Sequence, residues 1–310
     1  MATATAPPWE TVVEGGPHAP DLAVRGRDGA GAPLVLVHGL GGTVEEWEPL
    51  ADRLAPRRPV YAFDLRGHGR SADGAWTVEG HMADLGRVLD RLDLRAPVVA
   101  GHGFGGLVAT LFASRHGGAS AAVGIDAYGW PRPGVVAERL GLGPDEAAAN
   151  VGAARAFVLD QFAAACSPMP AEVFERQLAS FRAGAFGLPG PVLEAMALRA
   201  ALRDDRLVSL RPGPRAVRAL CADLDRYDTD APARALPVPA LALVTCRPLP
   251  PIPGAPARFS AMLAAQAAHE LAAPRPRRTV RALDAPPPAH VTRPAAVAEA
   301  IESFLEGIAG

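Results

Sequence analysis

The sequence predicts an α/β fold, a mostly parallel central sheet with flanking helices and an inserted helical cap. Three observations carry this. Short continuous runs of β-branched residues and leucine, such as "LVLV" and "ALALVT", read as strands buried on both faces. These runs alternate with stretches of helical apolar spacing, the order that right-handed crossovers in a parallel sheet produce. From about residue 131 to 234 the alternation stops, and amphipathic helical stretches follow with no clear strand.

In chain order, "APLVLVHGL" (32–40) is the first strand, ending in glycine. "EEWEPLADRLA" follows with Trp47, Leu50 and Leu54 at helical spacing. "RPVYAFDLRGHGRS" gives a second strand and a glycine-rich turn, and "VEGHMADLGRVLDRLDL" a helix. "APVVAG" is a third strand, "FGGLVATLFASRHG" its helix, and "ASAAVGIDA" a fourth strand. The helical block contains "AEVFERQLASFRA", "PVLEAMALRAALRD" and "RAVRALCADLDRY". "VPALALVTC" (238–246) then resumes the strand type, followed by a proline-rich loop (247–257) and a short strand at 277–285. The terminal helix is expected to bury a stripe of Ala296, Ala300, Phe304 and Ile308. The domain reading is a core of 1–130 and 235–310 with a cap of 131–234 over the carboxyl edge of the sheet.

The chain has 310 residues, 49% of them apolar, enough for one sizeable core and against disorder. All 31 basic residues are arginine, and the net charge of −2 gives no reason to expect nucleic acid or a membrane surface as partner. Cys166, Cys221 and Cys246 form neither metal spacing nor a disulfide framework, which fits a reducing cytosol. The N-terminus has no signal-peptide pattern, and no apolar run is long enough to span a membrane. No cofactor and no metal are expected. Nothing in the sequence fixes the oligomeric state.

Four segments occur in a telling order: "LVHGLGG", "FDLRGHGRS", "GHGFGG" followed by "LVA", and "HVTRPAAVAEAIESFL". In these the chain resembles the α/β-hydrolase superfamily, over roughly 30–130 and 235–310. The resemblance implies a serine at a strand–turn–helix elbow, a histidine near the C-terminus and an acid after a late strand. Here the elbow position is Gly103. Aligning "PPPAHVTRP" with the family's histidine stretch puts Pro287 at the catalytic position and His290 at a second, non-catalytic one. A local slip would make His290 the base. The usual acid turn reads Thr245-Cys246-Arg247-Pro248, without an acid, whereas Asp126 lies after the preceding strand, where some members carry it. The resemblance also implies an oxyanion hole from the N–H groups of Phe104 and Leu40, the latter following His38-Gly39, with His38 supporting that loop.

Each candidate has a plainer reading. Asp126 is an acid or base, or a strand-end residue capping backbone N–H groups. Cys246 is a nucleophile, or an apolar thiol without a histidine partner. His102 is packed beneath the elbow. Asp64 and Arg66 hold loops together. The leading expectation is an atypical member with a degraded triad that binds a small, largely apolar molecule or peptide, with non-hydrolytic isomerisation, epimerisation or cyclisation as its chemistry. The alternatives are a hydrolase with a rearranged site and a non-catalytic regulatory protein.

Overall fold

The computed structural model describes residues 7–227, 236–249, 252–272 and 275–309. Eight strands form one sheet in the order β1-β2-β4-β3-β5-β6-β10-β11. β1 (Trp9–Val13) and β2 (Leu22–Arg27) are antiparallel additions at one edge. β3 (Leu34–Val37), β4 (Val60–Phe63), β5 (Val98–His102), β6 (Ala121–Ile125), β10 (Ala240–Thr245) and β11 (Arg278–Leu283) run parallel to one another. β3, β6 and β10 are buried along their whole length, as strands covered on both faces must be.

Helices α1 (Glu48–Leu54), α2 (Val78–Arg91) and α3 (Phe104–Arg115) follow strands in the parallel series. A 3-10 turn, Val44–Trp47, precedes α1, so the Trp47, Leu50 and Leu54 row spans both elements; all three are fully buried. In the last helix, Pro294–Ala309, the buried stripe is Val297, Ile301, Phe304 and Leu305. Of the stripe expected there, Ala300 and Phe304 are buried, whereas Ala296 is exposed and Ile308 is 40% exposed, so the buried face is turned partly around the helix. Ala298 and Ala300 are buried along with the larger side chains of that face.

Between β6 and β10 lie α4 (Pro133–Leu140), α5 (Pro144–Ala165), α6 (Ala171–Arg182), α7 (Gly190–Ala200) and α8 (Pro214–Leu224). The expectation of no strand in this insertion needs correction. β7 (Met169–Pro170), β9 (Leu207–Leu210) and β8 (Ala201–Arg203) form a small antiparallel sheet. Each strand has four residues or fewer, too short for alternation to register in the sequence. The boundary expected at 234/235 lies outside the described residues.

The insertion is tied to the core by charge. Arg199 on α7 is buried and donates through Nε to Asp64 Oδ2 at 2.7 Å and through Nη1 to Glu10 at 2.8 Å. Asp64 also accepts the N–H groups of Val44 and Arg70. Arg66 grips Asp84 through two bonds of 2.6 and 2.8 Å and donates to the carbonyls of Ala75 and Gly80. Asp64 and Arg66 thus hold loops in place, and Asp64 also receives the insertion.

Candidate functional site

The chain leaves β5, turns at one residue and enters α3. That residue, Gly103, has φ +51° and ψ −118°. Only glycine takes this region without cost. Its N–H donates to Ile125 O at 3.0 Å, and its carbonyl accepts Leu107 N–H at 3.1 Å. A Cβ placed on Gly103 would meet no heavy atom within 4 Å, so the direction a nucleophile would take is open. Two residues on, a Cβ on Gly105 would overlap the carbonyls of Val37 and His38. That glycine lets α3 sit close against β3, which fixes the sharpness of the turn.

Facing the elbow is the loop after β3. Gly42 N–H closes a turn onto Gly39 O at 3.0 Å. His38 is buried; its Nδ1 donates to Gly39 O at 2.8 Å and its Nε2 accepts Leu65 N–H at 2.9 Å. His68 accepts Gly41 N–H at 3.1 Å through Nε2 and donates to Arg66 O through Nδ1. Burial pushes the His68 imidazole well below its usual pKa, which keeps it neutral for this acceptor role. Leu40 is half-buried and packs on the core. Phe104 opens α3, where the first N–H groups of a helix have no intrahelical acceptor. Its ring stands edge-on to His81 at 4.9 Å. Over this loop the insertion brings Phe162 of α5, whose ring lies against Gly41.

Asp126 follows β6 at φ +48°, an unusual backbone region for a residue with a side chain. Its carboxylate accepts Thr245 N–H at 2.8 Å, Thr245 Oγ1 at 3.0 Å and Tyr128 Oη at 3.4 Å. Burial raises its pKa, partly offset by those Thr245 bonds. It therefore ties β6 to the end of β10. Cys246 is exposed after β10, and its thiol contacts Val244 O at 3.6 Å. Pro287 precedes the short helix Ala289–Thr292 and has no side-chain polar atom to offer.

His290, in that short helix, is fully buried and bonds through Nε2 to Glu46 Oε1 at 2.9 Å. Its ring lies 4.2 Å from that of Trp47 and 4.6 Å from that of His102. His102 Nδ1 is 3.9 Å from the same Glu46 oxygen. Burial lowers both imidazoles, each to about 3, with the neighbouring His290 adding to the effect on His102. Burial raises the pKa of Glu46, partly offset by the neighbouring His102 and by nearby backbone N–H groups. Thr43 is the N-cap of the 3-10 turn, its Oγ1 accepting Glu45 N–H at 3.3 Å. The Thr-x-x-Glu spacing at 43–46 is visible in the sequence. The meeting of Glu46 with His102 and His290 is not, because these residues lie far apart in the chain.

An internal cavity of about 30 Å³ lies between β6, β10 and α3, lined by Thr110, Tyr128, Glu270 and Arg278 among others. Gly103 is not part of its wall. Room for one water is what such a volume provides.

Comparison with known proteins agrees with this architecture. Residues 32–136 match the family model described as the alpha/beta hydrolase fold. The abhydrolase domain-containing protein abhd-5.2 of Caenorhabditis elegans is 38% identical over 90 residues, 27% of this chain and 20% of that protein. The putative carbamate hydrolase RutD of Caulobacter segnis is 35% identical over 115 residues, 36% of this chain and 43% of that protein. These matches therefore span less than half of either relative. Among solved structures, E-2-(acetamidomethylene)succinate hydrolase superposes with a TM-score of 0.67 at 18% identity, covering 93% of this chain and 96% of that one. The thioesterase domain of the curacin biosynthetic pathway gives 0.63 at 17%, covering 97% and 100%. Residues 32–136 carry the sequence signature of the α/β-hydrolase superfamily, and the chain adopts the α/β-hydrolase fold.

Proposed function

We propose that this chain is an atypical α/β-hydrolase-fold protein with a degraded triad, binding a small, largely apolar molecule or peptide over the elbow without hydrolysing it through a serine. The observation that carries the reading is Gly103: the elbow keeps a φ and ψ that only glycine takes without cost and an open direction above it, yet the residue there has no side chain. The N–H groups of Leu40 and Phe104 are backbone donors, kept by any residue other than proline. With Asp126 they offer charge stabilisation and a carboxylate, which suit isomerisation, epimerisation or cyclisation of a bound carbonyl compound.

The names of the relatives speak for a second reading, hydrolysis at a rearranged site, with His290 as base. Against it stand the full burial of His290 and the engagement of its Nε2 with Glu46.

A thermal-shift screen of apolar acids, polyketide-like aromatics and short peptides tests the binding claim. Ligands at a hundredfold excess over Kd should stabilise the fold by about 2.7 kcal/mol. The shift should vanish in Gly103→Trp, checked for folding by circular dichroism. Hits that persist in that variant would place binding elsewhere.

A further inference from the structure

Behind the elbow loop, three side chains from distant parts of the chain present ligand atoms to one another. Glu46 Oε1, His290 Nε2 and one nitrogen of His102 all lie within 4.8 Å of each other, with Glu46 Oε1 at 2.9 Å from His290 Nε2 and 3.9 Å from His102 Nδ1. Glu46 and His290 are buried, and the His102 side chain is 23% exposed. We propose that this trio is a binding site for a divalent first-row cation, of the zinc type.

The geometry is close to what such an ion needs. Zinc bonds to nitrogen and oxygen of about 2.0–2.2 Å put tetrahedral ligand atoms roughly 3.3 Å apart. The Glu46–His290 edge is shorter than this and the Glu46–His102 edge longer, so small shifts of both imidazole rings bring the three atoms into range. The donor set, two imidazoles and one carboxylate, is one that zinc and its neighbours accept.

Charge supplies the second argument. A buried carboxylate is stable only with a counter-charge or full hydrogen bonding. Among the described residues, the ion-pair contacts of Glu46 are to His102 and His290 alone, with no arginine among them. A divalent cation at this point would supply a full positive charge. Orientation supplies the third. The Glu46 carboxylate lies against the backbone of the loop after β3, where its Oε2 fills the space a Cβ on Gly42 would need. Oε1 is thereby left facing the two rings, as outer contacts orient ligands in metal sites. Bound metal would join the loop after β3, His102 at the end of β5 and the helix Ala289–Thr292 in one centre, with the partly exposed His102 side leaving a position for water. The sequence, by contrast, gives no metal-ligand spacing. This inference does not rest on the cleft reading.

The test is zinc titration of the full chain after chelator treatment, by calorimetry, with zinc-edge X-ray absorption on the loaded protein. One equivalent should bind, with scattering from two imidazoles, and zinc should raise the melting midpoint. His102→Gln, the least buried of the three, and Glu46→Gln should each weaken binding at least tenfold while remaining folded by circular dichroism. His116→Gln, remote from the trio, should bind as the parent does. Should a trio variant fail to fold, the absorption spectrum of the parent still decides. No stoichiometric uptake, uptake without two imidazoles, or binding unchanged in His102→Gln and Glu46→Gln would overturn the proposal.

Discussion

Replacing Arg199 by alanine should destabilise the protein by about 3–5 kcal/mol, the cost of leaving a buried charge without its partner. Asp64 is fully buried and Arg199 is 5% exposed, so water cannot take the place of the lost guanidinium. Two backbone N–H groups remain on Asp64, but they carry no full charge. The same substitution frees Glu10, which keeps Arg25 and Arg70 as partners and loses little. The effect should appear in urea unfolding, against Arg203→Ala as control. Arg203 and Glu175 are an exposed pair at 3.5 Å, expected to contribute well under about 1 kcal/mol. Equal losses in the two variants would mean that α7 is not what fastens the insertion to the core.

Substituting valine for Gly103 should cost up to about 3 kcal/mol, the upper end for a residue forced into a sparsely populated backbone region. Steric overlap is not the cause, because the Cβ direction is open. The cost is purely one of φ and ψ, so alanine should fall below valine, whose β-branching resists positive φ more strongly. Thermal or urea unfolding of both variants measures this. A neutral result for valine would show that the turn relaxes into ordinary geometry and that the elbow is not maintained.

These two expectations differ in how far the sequence alone announced them. Gly103 stood out because "GHGFGG" sits between an apolar strand and a helix, and local order is what sequence pattern records. The parallel strands were legible for the same reason: residues 34–37, 121–125 and 240–245 are unbroken apolar runs. β1 and β2 were not, since "WETVV" and "LAVRGR" mix charge into short edge segments. Arg199 reads as one more polar residue on an amphipathic helix, and only the docking of α7 turns it into a buried ion pair. Glu46 shows the limit most clearly. Its place in the turn after Thr43 is local and readable, while its contact with His290 joins residues 244 positions apart. No periodicity reports that distance. On the terminal helix half of the expected stripe, Ala300 and Phe304, is buried, and Val297, Ile301 and Leu305 complete the face in place of Ala296 and Ile308.

The central claim is that the fold persists here without serine hydrolysis, and p-nitrophenyl ester turnover by the parent and by Gly103→Ser tests it most directly. A new hydroxyl at 103 would still lack a base, because residue 287 is proline and His290 is buried against Glu46. Both proteins should hydrolyse the esters at the buffer rate. Turnover by the parent, or turnover by Gly103→Ser that disappears when His290→Gln is added, would contradict the account and show a working base at the elbow.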